Sequence, residues 1–253
     1  MRALPDLRHS PRPALGVCVS LLCPDFIEMC GLVGFQWVLL DAEHTPLDHA
    51  ACRNLVRAAD GVGMPCIVRI PEIRPAIIEG FLDSGALGIL APDVASAADA
   101  AALVAAVKFS PEGRRGAASR TRAADYGLAG SKTDFYRRSN AGTLTVALIE
   151  SPQGLQALDE ILAVPRLDYV ALGASDLRLS AEAAGPVDES AFQALLSDTQ
   201  ARIRARGMPQ VAVVTDATEA RTAIAAGAQL VAVADTALFA GAARAFLQDV
   251  LAG

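Results

Sequence analysis

The sequence predicts an α/β protein folded as a (β/α)8 TIM barrel. Three observations carry that reading. Eight short runs rich in valine, isoleucine and leucine recur along the chain, as parallel strands buried on both faces require. Each is followed by a stretch whose apolar residues recur at the three-and-four spacing of a helix. The length of 253 residues suits one such barrel. A doubly wound open sheet is the alternative. It fits less well, because no glycine-rich dinucleotide fingerprint follows the first run.

The elements run in order. "ALGVCVSLL" from Ala14 is the first strand, followed by a helix over 25–32. The stretch ahead of it, "MRALPDLRHSPRP", imitates a signal peptide by placing positive charge before an apolar run. Proline and aspartate interrupt it, and no small-x-small cleavage site follows, so a core strand is the better reading. "FQWVLLDAE" from Phe35 precedes a helix over 48–59, and "PCIVRI" from Pro65 precedes one over 75–84. "GILAPDV" from Gly88 leads to a helix over 96–108, and "LTVALIES" from Leu144 to one over 152–163. "YVALGASD" from Tyr169, "QVAVVTD" from Gln210 and "LVAVADT" from Leu230 lead to helices over 189–206, 217–226 and 237–251. Pro24-Asp25 and Ser151-Pro152 suit helix starts, and Gly85 and Gly227 suit positions just past helix ends.

One domain over residues 1–253 is expected, with a long segment over 109–142 between the fourth helix and the fifth strand. Loops of this length are usually functional or carry small elements of their own. This one leaves and re-enters on the barrel's bottom rim. Arg114, Arg115, Arg120 and Arg122 gather in it, which suits a solvated loop, an anion or a subunit contact.

Composition excludes some functions. A net charge of −6 gives no global basic field, so nucleic acid is not an expected partner. No apolar run approaches the ~20 residues that span a bilayer, so a membrane is not expected either. The five cysteines are odd in number and form no C-x-x-C pair, as expected of reduced thiols in a cytoplasmic protein.

In a barrel the reactive groups sit at the C-terminal ends of the strands. Those ends carry Asp41, Glu43 and His44, then Arg69, Asp93, Glu150 and Asp176, and finally Thr215, Asp216, Asp235 and Thr236. Glu150 and Asp176, brought together on adjacent strands, would repel unless protonated or bridged by a cation such as Mg2+ or Mn2+. Arg69 offers a fork of donors for a substrate carboxylate. His44, with Asp41 near, suits a general base. Singly, each is as easily a helix cap or a solvated strand end.

These residues resemble the HpcH/HpaI aldolase family. "GFQWVLLDAEHTPLD" is similar to the family's motif after strand two, and "VRIPE" to its strand-three arginine. "KFSPEGRRGAASRTRAADYG" resembles its long segment, and "LIESPQGLQALDEILAVPRLDYVALGASDL" its metal-binding half. "AAGAQLVAVADTALFAGAARAF" is similar to its last strand and helix, so the likeness covers nearly the whole chain. The resemblance implies a barrel of the phosphoenolpyruvate/pyruvate type and a class II aldolase, such as those acting on 4-hydroxy-2-oxoheptanedioate or 2-keto-3-deoxy sugar acids. Such an enzyme splits a 4-hydroxy-2-oxo acid into pyruvate and an aldehyde through a metal-stabilised enolate. It implies that Glu150 and Asp176 hold Mg2+ or Mn2+, with Co2+ a possible substitute. Arg69 would bind pyruvate, His44 with Asp41 would be the acid–base pair acting through water, Glu43 would support them, and Gly173, Ala174 and Ser175 would line the pocket. It also implies a homo-trimer or homo-hexamer, with the last helix on a partner. Only two lysines exist, Lys108 and Lys132, and neither ends a strand, so a Schiff-base aldolase is not expected.

Three residues depart from the family pattern. Leu148 stands where the family has glutamine, Asp93 where an uncharged residue is usual, and Ala174 where proline is usual. Leu148 and Glu150 share a strand face, so the interior beneath the metal site loses an amide. Two other functions stay open: a citrate-lyase-like acyl-CoA lyase, whose only candidate CoA site is the arginine cluster, and a catalytically weak paralogue that binds metal and oxoacid.

Overall fold

Side chains on a strand alternate between two faces, and closing a parallel sheet turns those faces into an interior and a helix-covered exterior. The computed structural model describes residues 12–252 and shows that closure. The charged N-terminal stretch that imitates a signal peptide lies largely outside the described residues.

The elements alternate from the start: β1 (Ala14–Val19), α1 (Pro24–Val33), β2 (Trp37–Asp41), α2 (His49–Gly61), β3 (Cys66–Arg69), α3 (Pro75–Asp83), β4 (Gly88–Ala91) and α4 (Ala97–Val107). A 3-10 turn (Arg122–Gly127) and α5 (Lys132–Gly142) then occupy the long segment before β5 (Leu144–Ile149). The second half holds α6 (Pro152–Gln156), α7 (Leu158–Leu162), β6 (Tyr169–Leu172), α8 (Ala174–Ala184) and α9 (Glu189–Ala205). It ends with β7 (Gln210–Val214), α10 (Ala217–Ala225), β8 (Ala228–Ala234) and α11 (Asp235–Leu251). The strands form a closed parallel barrel in sequence order, β1 pairing with β8.

All eight expected strands are present, and three helical details differ. The helix expected over 152–163 is broken at Ala157, whose ψ of 6° leaves the helical range. Its first turn is anchored where Gly154 packs on the Val94 carbonyl, and its second by Leu158 and Ile161 in the core. Strand six does not run to Asp176. It stops at Leu172, and the chain turns at Gly173 into α8. The long segment carries a helix of its own, α5, started by Ser131, whose Oγ accepts from the Asp134 N–H.

The in-and-out alternation sorts the core. Val38, Leu40, Val68, Ile89, Ala147 and Ile149 face the helices. Trp37, Leu39, Ile67, Val146, Leu148 and Tyr169 fill the barrel. Trp37 plugs the N-terminal end, its Nε1 donating to the Ala14 carbonyl at 3.1 Å. A Cβ at residue 16 would lie 2.6 Å from its ring, so Gly16 makes the room.

The last two helices are different. No residue of α10 is buried, and on α11 only Asp235 is. Phe239 is 71% and Phe246 67% exposed, with Leu247 and Val250 beside them on the outer face.

On the bottom rim Lys108 is fully buried. Its ammonium donates to the carbonyls of Asn140 at 3.0 Å and of Thr143, and lies 3.6 Å from Asp168. It ties the end of α4 to the entry of β5. Lys108→Met should lower unfolding stability by about 3 kcal/mol, because removing one partner strands buried acceptors. Urea denaturation with an unchanged m-value is the check; a loss within error would show that the ammonium is dispensable.

Candidate active site

The polar ends of β2, β3 and β5 continue the interior columns of the barrel. Asp41 follows Trp37 and Leu39, Arg69 follows Ile67, and Glu150 follows Val146 and Leu148. The apolar filling therefore ends in charge at the C-terminal rim.

Asp41 and Arg69 are register partners on neighbouring strands. Arg69 Nε donates to Asp41 Oδ1 at 3.0 Å and Nη2 to Oδ2 at 2.7 Å. Asp41 Oδ1 also accepts from the backbone N–H groups of Glu43 (3.0 Å) and His44 (3.2 Å). Burial alone would raise the Asp41 carboxyl; the Arg69 fork and the two N–H donors outweigh it and hold the group below its ordinary range. Burial opposes the Arg69 charge in the same way, and Asp41 more than restores it. Beneath the pair, burial pushes the Cys18 thiol up to about 12.

The structure pairs His44 differently from the sequence expectation. Asp41 is committed to Arg69 and to backbone, while His44 Nε2 lies 3.5 Å from Glu43 Oε2. Glu43 Oε2 is also 3.3 Å from Arg69 Nε. The imidazole is 66% exposed at the barrel mouth. Glu43 thus links histidine to arginine, a connection that the D-A-E-H spacing alone does not reveal.

Glu150 is fixed from two sides. The Asp93 N–H donates to Glu150 Oε1 at 2.7 Å. Asp93 takes a left-handed φ of 48°, which aspartate tolerates better than most residues. Sequence reasoning flagged Asp93 for its charge; the structure uses its backbone as well. From the other side, a Cβ at residue 173 would lie 2.5 Å from Glu150 Cβ and 2.7 Å from Oε2, so only Gly173 fits. Burial raises the Glu150 pKa above the ordinary glutamate value, the Asp93 N–H opposes that, and the charges of Glu43, Asp176 and Asp93 add to it. Burial likewise raises Glu43, with Arg69 and His44 opposing and Asp41 and Asp176 adding.

Asp176 stands in the first turn of α8 rather than on a strand. There the helix dipole favours a carboxylate, and the first N–H groups of the helix, at Ala174 and Ser175, are free of intrahelical partners. The remaining strand-end candidates are structural. Asp216 caps α10, accepting from Thr218 and Glu219, and Thr215 bonds Glu219. Buried Asp235 accepts from Ser20 N (2.8 Å), Ser20 Oγ (2.8 Å) and Leu21 N (2.7 Å), which locks the loop after β1 to the start of α11.

Among the described residues, no three histidine, cysteine, aspartate or glutamate side chains form a closed cation cage. The donor chemistry fits an open site. Glu150 and Asp176 offer hard oxygens within a group of like charges that a divalent cation would relieve, leaving other positions for water and substrate.

Residues 15–241 match the HpcH/HpaI aldolase/citrate lyase family profile. The chain is 32% identical over 219 residues to the 5-keto-4-deoxy-D-glucarate aldolase of Salmonella gallinarum, covering 87% of this chain and 84% of that one. It is 32% identical over 234 residues to the enzyme of the same name from Citrobacter koseri, with 92% and 90% covered. Its fold superimposes on an HpcH/HpaI aldolase/citrate lyase family protein from Burkholderia cenocepacia with a TM-score of 0.88, at 27% identity and 96% coverage of both chains.

The raised glutamates set a pH dependence. With no cation bound, Glu43 and Glu150 contribute stability below the ordinary glutamate pKa, and that contribution is lost as pH rises through their elevated values. Saturating Mg2+ should reverse the slope in that window, as read from urea midpoints against pH. Gly173→Ala should weaken Mg2+ binding at least about tenfold by displacing Glu150; calorimetry showing unchanged affinity would contradict the packing argument.

Proposed function

The chain belongs to the HpcH/HpaI aldolase/citrate lyase family, and on that premise we propose that it is a divalent-metal-dependent aldolase, an aldehyde-lyase acting on 4-hydroxy-2-oxo acids. The observation that carries the proposal is the rim itself, which carries both Arg69, pinned by Asp41, and a Glu150 carboxylate held by the Asp93 N–H and by Gly173. The curated relatives suggest a keto-deoxy sugar acid as the substrate class.

Glu150 and Asp176 would hold Mg2+ or Mn2+, and such an ion would supply Lewis acidity to the bound 2-oxo acid. Asp41 occupies Nε and one Nη2 hydrogen of Arg69, which fixes the plane of the guanidinium and leaves its other N–H groups for the substrate. The free N–H groups at the start of α8, beside Gly173, Ala174 and Ser175, suit the substrate carboxylate. His44, adjusted by Glu43, takes the C4 hydroxyl proton directly or through water. The C3–C4 electron pair passes to the pyruvate fragment, the aldehyde departs, and C3 of the enolate is reprotonated.

The structure weakens the acyl-CoA reading. Arg115 pairs with Asp83 and Arg122 with Asp60 on the rim opposite the site, so this cluster is not placed to hold a CoA group there. The reading as a catalytically weak binder rests on Leu148, which lies in the apolar barrel filling beneath Glu150.

The exposed phenylalanines of α11 fit a homo-oligomer, a trimer or hexamer in which the helix packs on a neighbour. Among the described residues no helix is long and apolar enough to cross a membrane. A cytoplasmic, single-domain enzyme is the reading consistent with the thiol content.

With Mg2+ or Mn2+, pyruvate and a panel of hydroxylated aldehydes, the protein should form adducts that EDTA abolishes. Glu150→Ala should lower the rate about a thousandfold. Leu148→Gln should raise it about tenfold if the missing amide limits the enzyme. Adduct formation indifferent to EDTA would refute the metal-dependent reading. Light scattering should show Phe239→Glu combined with Phe246→Glu reducing the oligomer to smaller species.

A further inference from the structure

A cavity of about 350 Å³ lies on the opposite face of the barrel from the candidate active site. It opens at the N-terminal ends of β4 and β5, between α3, the 3-10 turn and α5. Leu82, Ala86, Leu87 and Phe135 give it an apolar floor. Its volume is within the range of small-molecule pockets, ~300–1,000 Å³.

The polar side carries three arginines, Arg115, Arg122 and Arg138, against two aspartates, Asp125 and Asp60, the latter paired with Arg122. Arg115 lines the cavity with its side chain only 2% exposed. Its Nη2 reaches Asp83 at 2.7 Å, but its buried Nε has no hydrogen-bond partner. Its Nη1 donates to Ser139 Oγ at 3.4 Å, and burial lowers the Arg115 pKa in spite of Asp83. Arg122 is held over the turn before β4 by its bond to Asp60, at a position where a Cβ on Gly85 would strike its guanidinium. Arg138 stands exposed on α5 at the rim.

The mouth is also strained. Asp125 and Tyr126 are consecutive non-glycine residues in the left-handed region, at φ 49° and 57°. Such outliers persist where the surroundings over-determine them, often at ligand clamps. They present the Tyr126 hydroxyl beside Arg57, whose Nη2 donates to it at 3.5 Å.

We propose that this cavity is a second ligand site, for a small carboxylate with an apolar body. The body seats on Leu82, Leu87 and Phe135, and the carboxylate meets the exposed Arg138 guanidinium at the rim, with the buried positive charge of Arg115 behind the cavity wall. The apolar floor disfavours free phosphate, and the single exposed guanidinium fork of Arg138 suits a carboxylate rather than a polyphosphate. The site is independent of the aldolase reading, because none of its residues lies on the catalytic rim.

Benzoate is the probe, with benzyl alcohol and inorganic phosphate as controls at matched ionic strength. At ten times its Kd, benzoate should raise Tm by about 3 °C, and the two controls should not. The rise should disappear in Arg138→Ala and Arg138→Glu, whose exposed position leaves folding intact, and should survive in Arg69→Met. No rise up to 20 mM, on the order of a weak-ligand Kd, would overturn the proposal. So would a rise matched by benzyl alcohol, one retained in Arg138→Glu, or one lost in Arg69→Met, which would place benzoate on the catalytic rim.

Discussion

Every second residue of a strand in a closed parallel barrel must face the interior. In this chain that constraint builds the site. The columns that begin with Trp37, Ile67 and Leu144 fill the barrel with apolar side chains and end one to three pleats later in Asp41, Arg69 and Glu150. The same closure that packs the core brings charges from separate strands to one rim. A one-residue slip of β2 against β3 would turn Asp41 into the helix layer and break its pairing with Arg69.

Asp41 is buried and Arg69, Glu43 and Glu150 are partly buried, so their states depend on one another. Asp41 and Arg69 satisfy each other and draw in the backbone N–H groups of Glu43 and His44. Glu43 touches Arg69 and His44 but also meets the charge of Asp176, Glu150 meets those of Glu43, Asp176 and Asp93, and burial shifts both upward. One side of the rim is neutralised within the protein, and the other carries more negative charge than the protein offsets. A divalent cation held by Glu150 and Asp176, as proposed, would relieve that imbalance.

Much of the fold was legible because strand runs and caps are local signals. Val/Ile/Leu density located all eight strands, and Ser151 and Gly85 marked a helix start and a helix end. The helix at α8 was missed because "GASD" continues an apolar run and only Gly173 marks the stop. At the barrel rim, residue types and strand ends located the polar side chains but not their pairing. Whether Asp41 bonds His44 or Arg69 depends on cross-strand register, and the roles of Asp93 and Gly173 lie in backbone geometry that a side-chain reading passes over. The bareness of α11 shows only when burial is measured, since its composition resembles that of the covered helices.

Leu148 is where sequence and geometry meet most sharply. It is a barrel-filling residue on the same strand face as Glu150, one pleat below it. The decisive measurement is exchange of the pyruvate methyl protons with deuterium, followed by NMR in the presence of Mg2+. Enolisation at this rim predicts exchange that stops on adding EDTA and is lost in Asp176→Ala. Absence of exchange with either Mg2+ or Mn2+, or exchange indifferent to EDTA, would contradict a metal-dependent enolate chemistry at Glu150, Asp176 and Arg69.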